Sequence, residues 1–248
     1  MIDPSNRDLS DSLPPHKIFV GTFHKSGTVL MQDIWTQACR SLGLVLWEMH
    51  DHPESPPAAW QVAFHYKSKF GDLPLRHPHR GMLVFRDPRD VIISGMHYHR
   101  KSPEPWLHKP DARFDGLTYQ QRLNSLATDT DRLLFEMEHQ GRKTIKQMQR
   151  AMEAYPDFYH AKLEHLVEDR DLAEYQRIFQ FLGFDGNSLG VLLDSARRNS
   201  LFAGSVTSAS HVRSGRPALW RDEFSGQVMD AFLEKYGDLP ERWGYPAP

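Results

Sequence analysis

Cysteine is almost missing from this chain: Cys39 is the one in 248 residues, so no internal disulfide can form and no cysteine cluster is available for zinc or redox chemistry. It falls inside a helical pattern, where a buried packing role is expected. Long apolar runs are missing too. Nothing approaches the ~18 to 20 residues of a membrane span, and the polar stretch Met1 to Pro15 has no apolar secretory core. Charge of one sign is not in surplus: 30 basic and 32 acidic side chains leave a net charge of −2. Nothing global therefore draws the chain to nucleic acid or to a membrane surface, and any positive potential has to be local. Internal repeats are absent, as is the HExxH string of a zinc hydrolase. Of the 14 histidines, the pairs His50/His52, His77/His79 and His97/His99 stand out. Residues two apart on a helix point to different sides, and His77 and His79 flank a proline, so no metal site is expected. These absences lead to the expectation of a soluble cytoplasmic protein.

What is present begins at Lys17. Ile18, Phe19 and Val20 suit a buried strand that Gly21 ends, and the turn His24 Lys25 Ser26 Gly27 Thr28 follows. From Thr28 the apolar residues Leu30, Met31, Ile34, Trp35 and Ala38 repeat at helical spacing. The N–H groups of Ser26, Gly27, Thr28 and Val29 thus lie at a helix N-terminus, where unpaired donors and the helix dipole favour an anion. Lys25 adds a full charge, and Gly27 lets a ligand approach the backbone. A nucleotide-hydrolysing P-loop has Gly, four residues, Gly, Lys and then Ser or Thr. Counted from Gly21, position 26 is Ser, and Lys25 precedes the second glycine. The letters indicate an anion at a strand-to-helix turn. They do not give the spacing that seats magnesium beside ATP.

The same layout recurs. Gly81 to Phe85 reads as a buried strand running into Arg86 Asp87 Pro88 Arg89 Asp90, with Asp87 suited to cap a helix and Pro88 to its first position. Arg86 then stands at the strand's carboxyl end, on the rim expected to carry Lys25, and Ser94 lies about two turns into the helix. An ordinary local ion pair of Arg86 with Asp87 or Asp90 is the competing reading.

With these residues assembled, the chain resembles the PAPS-dependent sulfotransferases of the cytosolic type. That family has a Lys-Ser-Gly-Thr loop for the 5′-phosphosulfate and, for the 3′-phosphate, an Arg eight residues before a Ser, the spacing of Arg86 and Ser94. Its third element, Arg-x-Gly followed by Trp and a basic residue, matches Arg213, Gly215, Trp220 and Arg221. A weaker echo runs from Ala161 to Gly183. The resemblance covers the chain from Lys17 to Trp243 and implies a donor, PAPS, released as 3′,5′-ADP, with no metal. It implies that Lys25 stabilises the leaving phosphate while Ser26, Gly27, Thr28, Val29, Arg86, Ser94, Arg213 and Gly215 bind the cofactor. The family's base is a His about twenty residues before the phosphate-binding Arg; His65 lies 21 residues before Arg86. The implied acceptor is a small molecule or sugar with a hydroxyl or amine, and the resemblance leaves room for a homodimer. Departures are clear. Leu30 and Leu163 stand where the family has adenine-contacting aromatics, Ala63 where a Lys often precedes the base, and Ser214 where a Lys precedes the glycine. Two other functions stay open: a magnesium-ATP-dependent kinase of a small molecule, and a silent PAPS-binding protein in which His65 does nothing.

The fold class expected is α/β, a P-loop-like central parallel sheet flanked by helices, the sulfotransferase fold. Residues 1–16 read as a loose arm and 17–248 as a single domain. Strands are expected at 17–21, 44–48, 61–66, 81–86 and 157–163, and helices at 28–41, 88–100, 117–154, 170–182, 186–198 and 223–236. A long loop is expected at 101–116, and a Ser- and Gly-rich segment at 203–219 that orders on PAPS.

Overall fold

The computed structural model describes residues 13–49, 55–200 and 217–248. Its elements in chain order are β1 (Lys17–Gly21), α1 (Thr28–Leu42), β2 (Leu46–Met49), β3 (Val62–His65), β4 (His79–Phe85), α2 (Pro88–His99), α3 (Tyr119–Ser125), α4 (Asp129–Glu138) and α5 (Gln140–Ala154). After these come β5 (Tyr159–Lys162), α6 (Leu163–Glu168), α7 (Ala173–Phe181), α8 (Gly186–Asn199), α9 (Trp220–Glu223), α10 (Gly226–Tyr236) and α11 (Leu239–Arg242). The chain forms two compact units. One comprises Met1–Phe85 with Arg150–Gly215, and the other Arg86–Gln149 with Arg216–Pro248. The loose arm, apart from residues 13–16, and most of the 203–219 segment lie outside the described residues.

The first unit holds the five-stranded parallel sheet, in the order β2-β3-β1-β4-β5. Alternation along the strands sends Ile18, Val20, Val62, Phe64, Met82, Val84 and Ala161 to one face, where they pack with Ile34 and Trp35 of α1, Ile178 and Phe179 of α7, and Leu192 of α8. Burying each large side chain of this kind contributes roughly 1.5–3 kcal/mol. The other face is aromatic: Phe19 meets Trp60 and Phe70 edge-on at 5.6 and 5.2 Å. Gly81 is required there, since a Cβ would lie 2.2 Å from the Phe158 ring. α1 stops at Gly43, whose φ of 67° lets its N–H turn back to the Cys39 carbonyl. Burial pushes the Cys39 thiol up to about 12, which keeps it an unreactive packing group.

Helices build the second unit. Ile92 and Met96 of α2, Leu133 and Met137 of α4, and Val228 and Phe232 of α10 share its core. The helical run expected over 117–154 is three helices, because side chains end and restart it. Thr118 and Gln121 form a capping box at α3, Thr128 and Asp131 form another at α4, and His139 between α4 and α5 leaves helical geometry at φ −113°, ψ −96°. The 101–116 loop is tied down by short 3₁₀ turns at Pro105–His108 and Ala112–Phe114, with Leu107 and Phe114 buried. In the first unit α6 is an addition to the expected elements.

Arg89, fully buried, is the second unit's most committed charge. Its Nε and Nη2 donate to the Asp87 carboxylate at 3.0 and 2.7 Å, Nη2 also reaches the Pro246 carbonyl at 2.6 Å, and the guanidinium lies 3.7 Å from the Trp220 ring centroid. Arg89→Ala removes all three and leaves Asp87 buried without its cation, an expected loss of about 3 kcal/mol in urea unfolding. The Arg89→Met/Asp87→Asn pair, with no stranded charge, should cost clearly less; an equal cost would locate the effect in packing alone.

Candidate functional site

In a parallel sheet whose strand order reverses, the loops at the carboxyl ends on either side of the reversal open a crevice. Here β1 lies between β3 and β4, so the loop from Gly21 to Thr28 leaves the sheet at that reversal. Register sets Gly21 opposite His65 on one side and Leu83 on the other. The Thr22 N–H donates to the His65 carbonyl at 3.2 Å, which joins the root of the loop to the end of β3.

The loop braces itself from inside. Ser26 is fully buried; its N–H and hydroxyl donate to the Phe23 carbonyl at 3.0 and 2.9 Å, and its Oγ accepts the Phe23 N–H at 2.7 Å. Thr28 donates its hydroxyl to the same carbonyl at 3.1 Å and lies 3.0 Å from the Thr22 hydroxyl. Lys25 and Gly27 both adopt left-handed backbone, at φ 63° and 84°. Left-handed residues interleaved along a turn gather successive N–H groups on one side. α1 then opens at Gly27 with no side-chain cap and no acidic residue in its first turn, so its positive end is not answered by the helix itself. Lys25 is half-buried beside it and Val29 exposed. A Cβ on Gly27 would come within 2.6 Å of Leu163 Cδ1, so a side chain there would have to push that methyl aside as well as adopt a left-handed φ.

His65 ends β3 at 2 % exposure. Its Nδ1 accepts the N–H of Lys67 at 3.0 Å, which fixes the neutral ring as the tautomer protonated on Nε2. The ring lies against Tyr66 and Phe70, at 5.5 and 6.1 Å between centroids. Ser68 completes this edge, donating its hydroxyl to the Thr22 carbonyl at 2.9 Å.

The second unit carries Arg86 and Ser94. Arg86 follows Phe85, the last residue of β4, and Asp87 caps α2 by accepting the Arg89 N–H at 2.9 Å, with Pro88 at the first helical position. From Pro88 to Met96 only Ser94 is not buried, which leaves its hydroxyl at the one open point on that stretch of helix. His97 and His99 go to different partners, Glu223 at 2.7 Å and Glu136 at 2.9 Å. Among the described residues no group of histidine, cysteine or acidic side chains is arranged to hold a metal ion. No helix there is long and apolar enough to cross a membrane. Arg213 and Gly215 lie outside the described residues.

Solved structures align with nearly the whole chain. A mouse sulfotransferase, SULT7A1, complexed with PAP, matches 95% of this chain and 91% of its own, at a TM-score of 0.61 and 14% identity. Retinol dehydratase in a complex with retinol and PAP matches 95% and 84%, at 0.54 and 15%. The fold is that of the sulfotransferases. The same dehydratase with androsterone and PAP matches 92% of this chain and 79% of its own, at 0.50 and 16% identity. No family model and no curated protein sequence matches the chain.

Within this sulfotransferase fold the structure adds residues that the sequence did not single out. The Thr22 hydroxyl pairs with that of Thr28 and the Ser68 hydroxyl donates to the Thr22 carbonyl, which together hold the loop root, and no spacing signals them. Asp90 does carry a signal, its four-residue offset from Arg86, but that offset reads equally well as a surface ion pair. Leu163, which the sequence sets where the resembled family has an adenine-contacting aromatic, also fills the space where a Cβ on Gly27 would lie.

Proposed function

We propose that this protein transfers a sulfuryl group from PAPS to a hydroxyl or amine of a small-molecule acceptor by in-line displacement, releasing 3′,5′-ADP. The observation that carries the reading is the Lys25 loop at the strand reversal of a sulfotransferase fold, with left-handed Lys25 and Gly27 ahead of an uncapped, acid-free helix start. The residues fit an anionic nucleotide. Gly27, Thr28 and Val29 offer backbone N–H groups to the 5′-phosphosulfate, Ser26 holds the loop's shape, and Arg86, Ser94, Arg213 and Gly215 are assigned to the 3′-phosphate. PAPS supplies the sulfuryl group. Lys25 stabilises the charge that develops on the leaving phosphate, which needs no metal because the transferred group carries less negative charge than a phosphoryl group. His65 takes the acceptor's proton, and for this its ring must give up the Lys67 N–H so that Nε2 presents a lone pair. Retinol and androsterone, bound by the dehydratase, favour an apolar, ring-bearing acceptor. The reading sets the protein in the cytoplasm.

Thermal unfolding tests the assignment. At equal concentration 3′,5′-ADP is expected to raise the melting temperature more than ADP does, with or without magnesium, because only the former carries the 3′-phosphate. A larger, magnesium-dependent shift with ADP would turn the assignment to a kinase.

A further inference from the structure

We propose that Asp90 is a positioning residue that aims Arg86 and holds the turn at Ala218–Trp220 in the same act, so that a nucleotide's 3′-phosphate is met by a pre-set guanidinium. The inference rests on the assignment of Arg86 to that phosphate. All four residues belong to the second unit.

Asp90 is completely buried, the third residue of α2. An acidic side chain at that position ordinarily turns back to cap its own helix. This one does not; Asp87 caps α2 alone, without the reciprocal bond that Gln121 and Asp131 make in α3 and α4. Its Oδ1 instead accepts the Trp220 N–H at 3.0 Å from 130 residues away, and the carboxylate also accepts the N–H of Ala218. Ala218 sits at φ 58°, a left-handed conformation that alanine disfavours, and the bonds to Asp90 hold it there. Trp220 is locked further by Arg89 and Arg221, whose guanidinium carbons lie 3.7 and 4.5 Å from its ring centroid.

The other oxygen, Oδ2, is buried and makes no hydrogen bond. It faces the Arg86 guanidinium, with Nη2 at 4.0 Å. A buried carboxylate oxygen without a donor is costly, and the facing cation offsets that cost by attraction alone. Burial holds the Asp90 carboxyl above the usual carboxylate range, with Arg86 drawing it back down in part. At 4.0 Å the carboxylate orients Arg86 without accepting any of its N–H groups. One carboxylate thus divides its two oxygens between a backbone turn and a side-chain cation.

Asp90→Asn keeps an acceptor for the Trp220 N–H and replaces the charge facing Arg86 by a neutral amide. Calorimetric titration of the full chain with 3′,5′-ADP and with 5′-AMP gives the preference conferred by the 3′-phosphate. In Asp90→Asn that preference is expected to fall about tenfold while 5′-AMP binding is retained. Adding Ala218→Gly, which makes the left-handed turn comfortable without restoring the charge, should leave the preference low. Where Asp90→Asn alone is too unstable to titrate, the Asp90→Asn/Ala218→Gly pair carries the same comparison. A wild-type preference that survives Asp90→Asn, or returns fully with Ala218→Gly, overturns the coupling to Arg86. A wild-type protein with no preference overturns the Arg86 assignment itself and the inference with it.

Discussion

Lys25→Ala is expected to lower the turnover of sulfuryl transfer by about 10²–10³, the usual effect of deleting one donor aimed at developing charge. The loss should appear in kcat, with 3′,5′-ADP binding reduced much less, because the N–H groups at the start of α1 survive the substitution. Alanine is the informative choice. It inherits the left-handed φ of 63° with much the same steric penalty as lysine, so the loop is neither relaxed nor newly strained. Glycine at the same position would mix lost charge with a loosened backbone. Labelled sulfate transfer over a panel of hydroxyl and amine acceptors gives the readout. Transfer at the wild-type rate would remove the loop from the chemistry.

His65→Ala should cost about 10²–10⁴ if the imidazole takes the acceptor's proton. The structure sharpens this into a choice, because the ring bonded to Lys67 N–H through Nδ1 presents a donor at Nε2. His65→Gln separates the two possibilities, since its amide nitrogen reproduces an N–H near Nε2 but cannot accept a proton. A base requires that glutamine fail as badly as alanine, and that the limb of kcat/KM rising with pH vanish in both. The sign follows from the chemistry: only the unprotonated ring can accept, so activity is present at higher pH and lost as pH falls. Rescue by glutamine would make His65 a hydrogen-bond donor to the transferred group, and the proton would have to leave by another route.

The elements legible in the sequence are those that local chemistry decides. β1 and α1 were readable because a β-branched and aromatic run, a glycine and a 3.6-residue repeat follow one another without interruption, and the observed bounds differ from the expected ones by a single residue. The same holds for α2, where Asp87 and Pro88 announce the helix. Elsewhere the signal in the sequence is weak or distant. The Thr128-to-Asp131 capping box was present in the letters, but the apolar period carries on across it and hid the break. α6 has six residues and begins directly at the end of β5, too short for any period to declare it. In the candidate site, the position of His65 at a strand end was readable while its tautomer was not, since that depends on the path of the chain at Lys67. Asp90 shows the limit most clearly: its neighbour Arg86 is four residues away and visible, and its partner Trp220 is 130 residues away and invisible.

The contact between Gly27 and Leu163 bears on how this chain can change. A methyl of Leu163 occupies the volume a side chain at position 27 would need, so the loop after the first strand and the join between β5 and α6 are fitted to each other across most of the sequence. Placing an aromatic ring at position 163 would press on the glycine whose backbone shapes the loop after β1, so substitutions at the two positions have to be designed together.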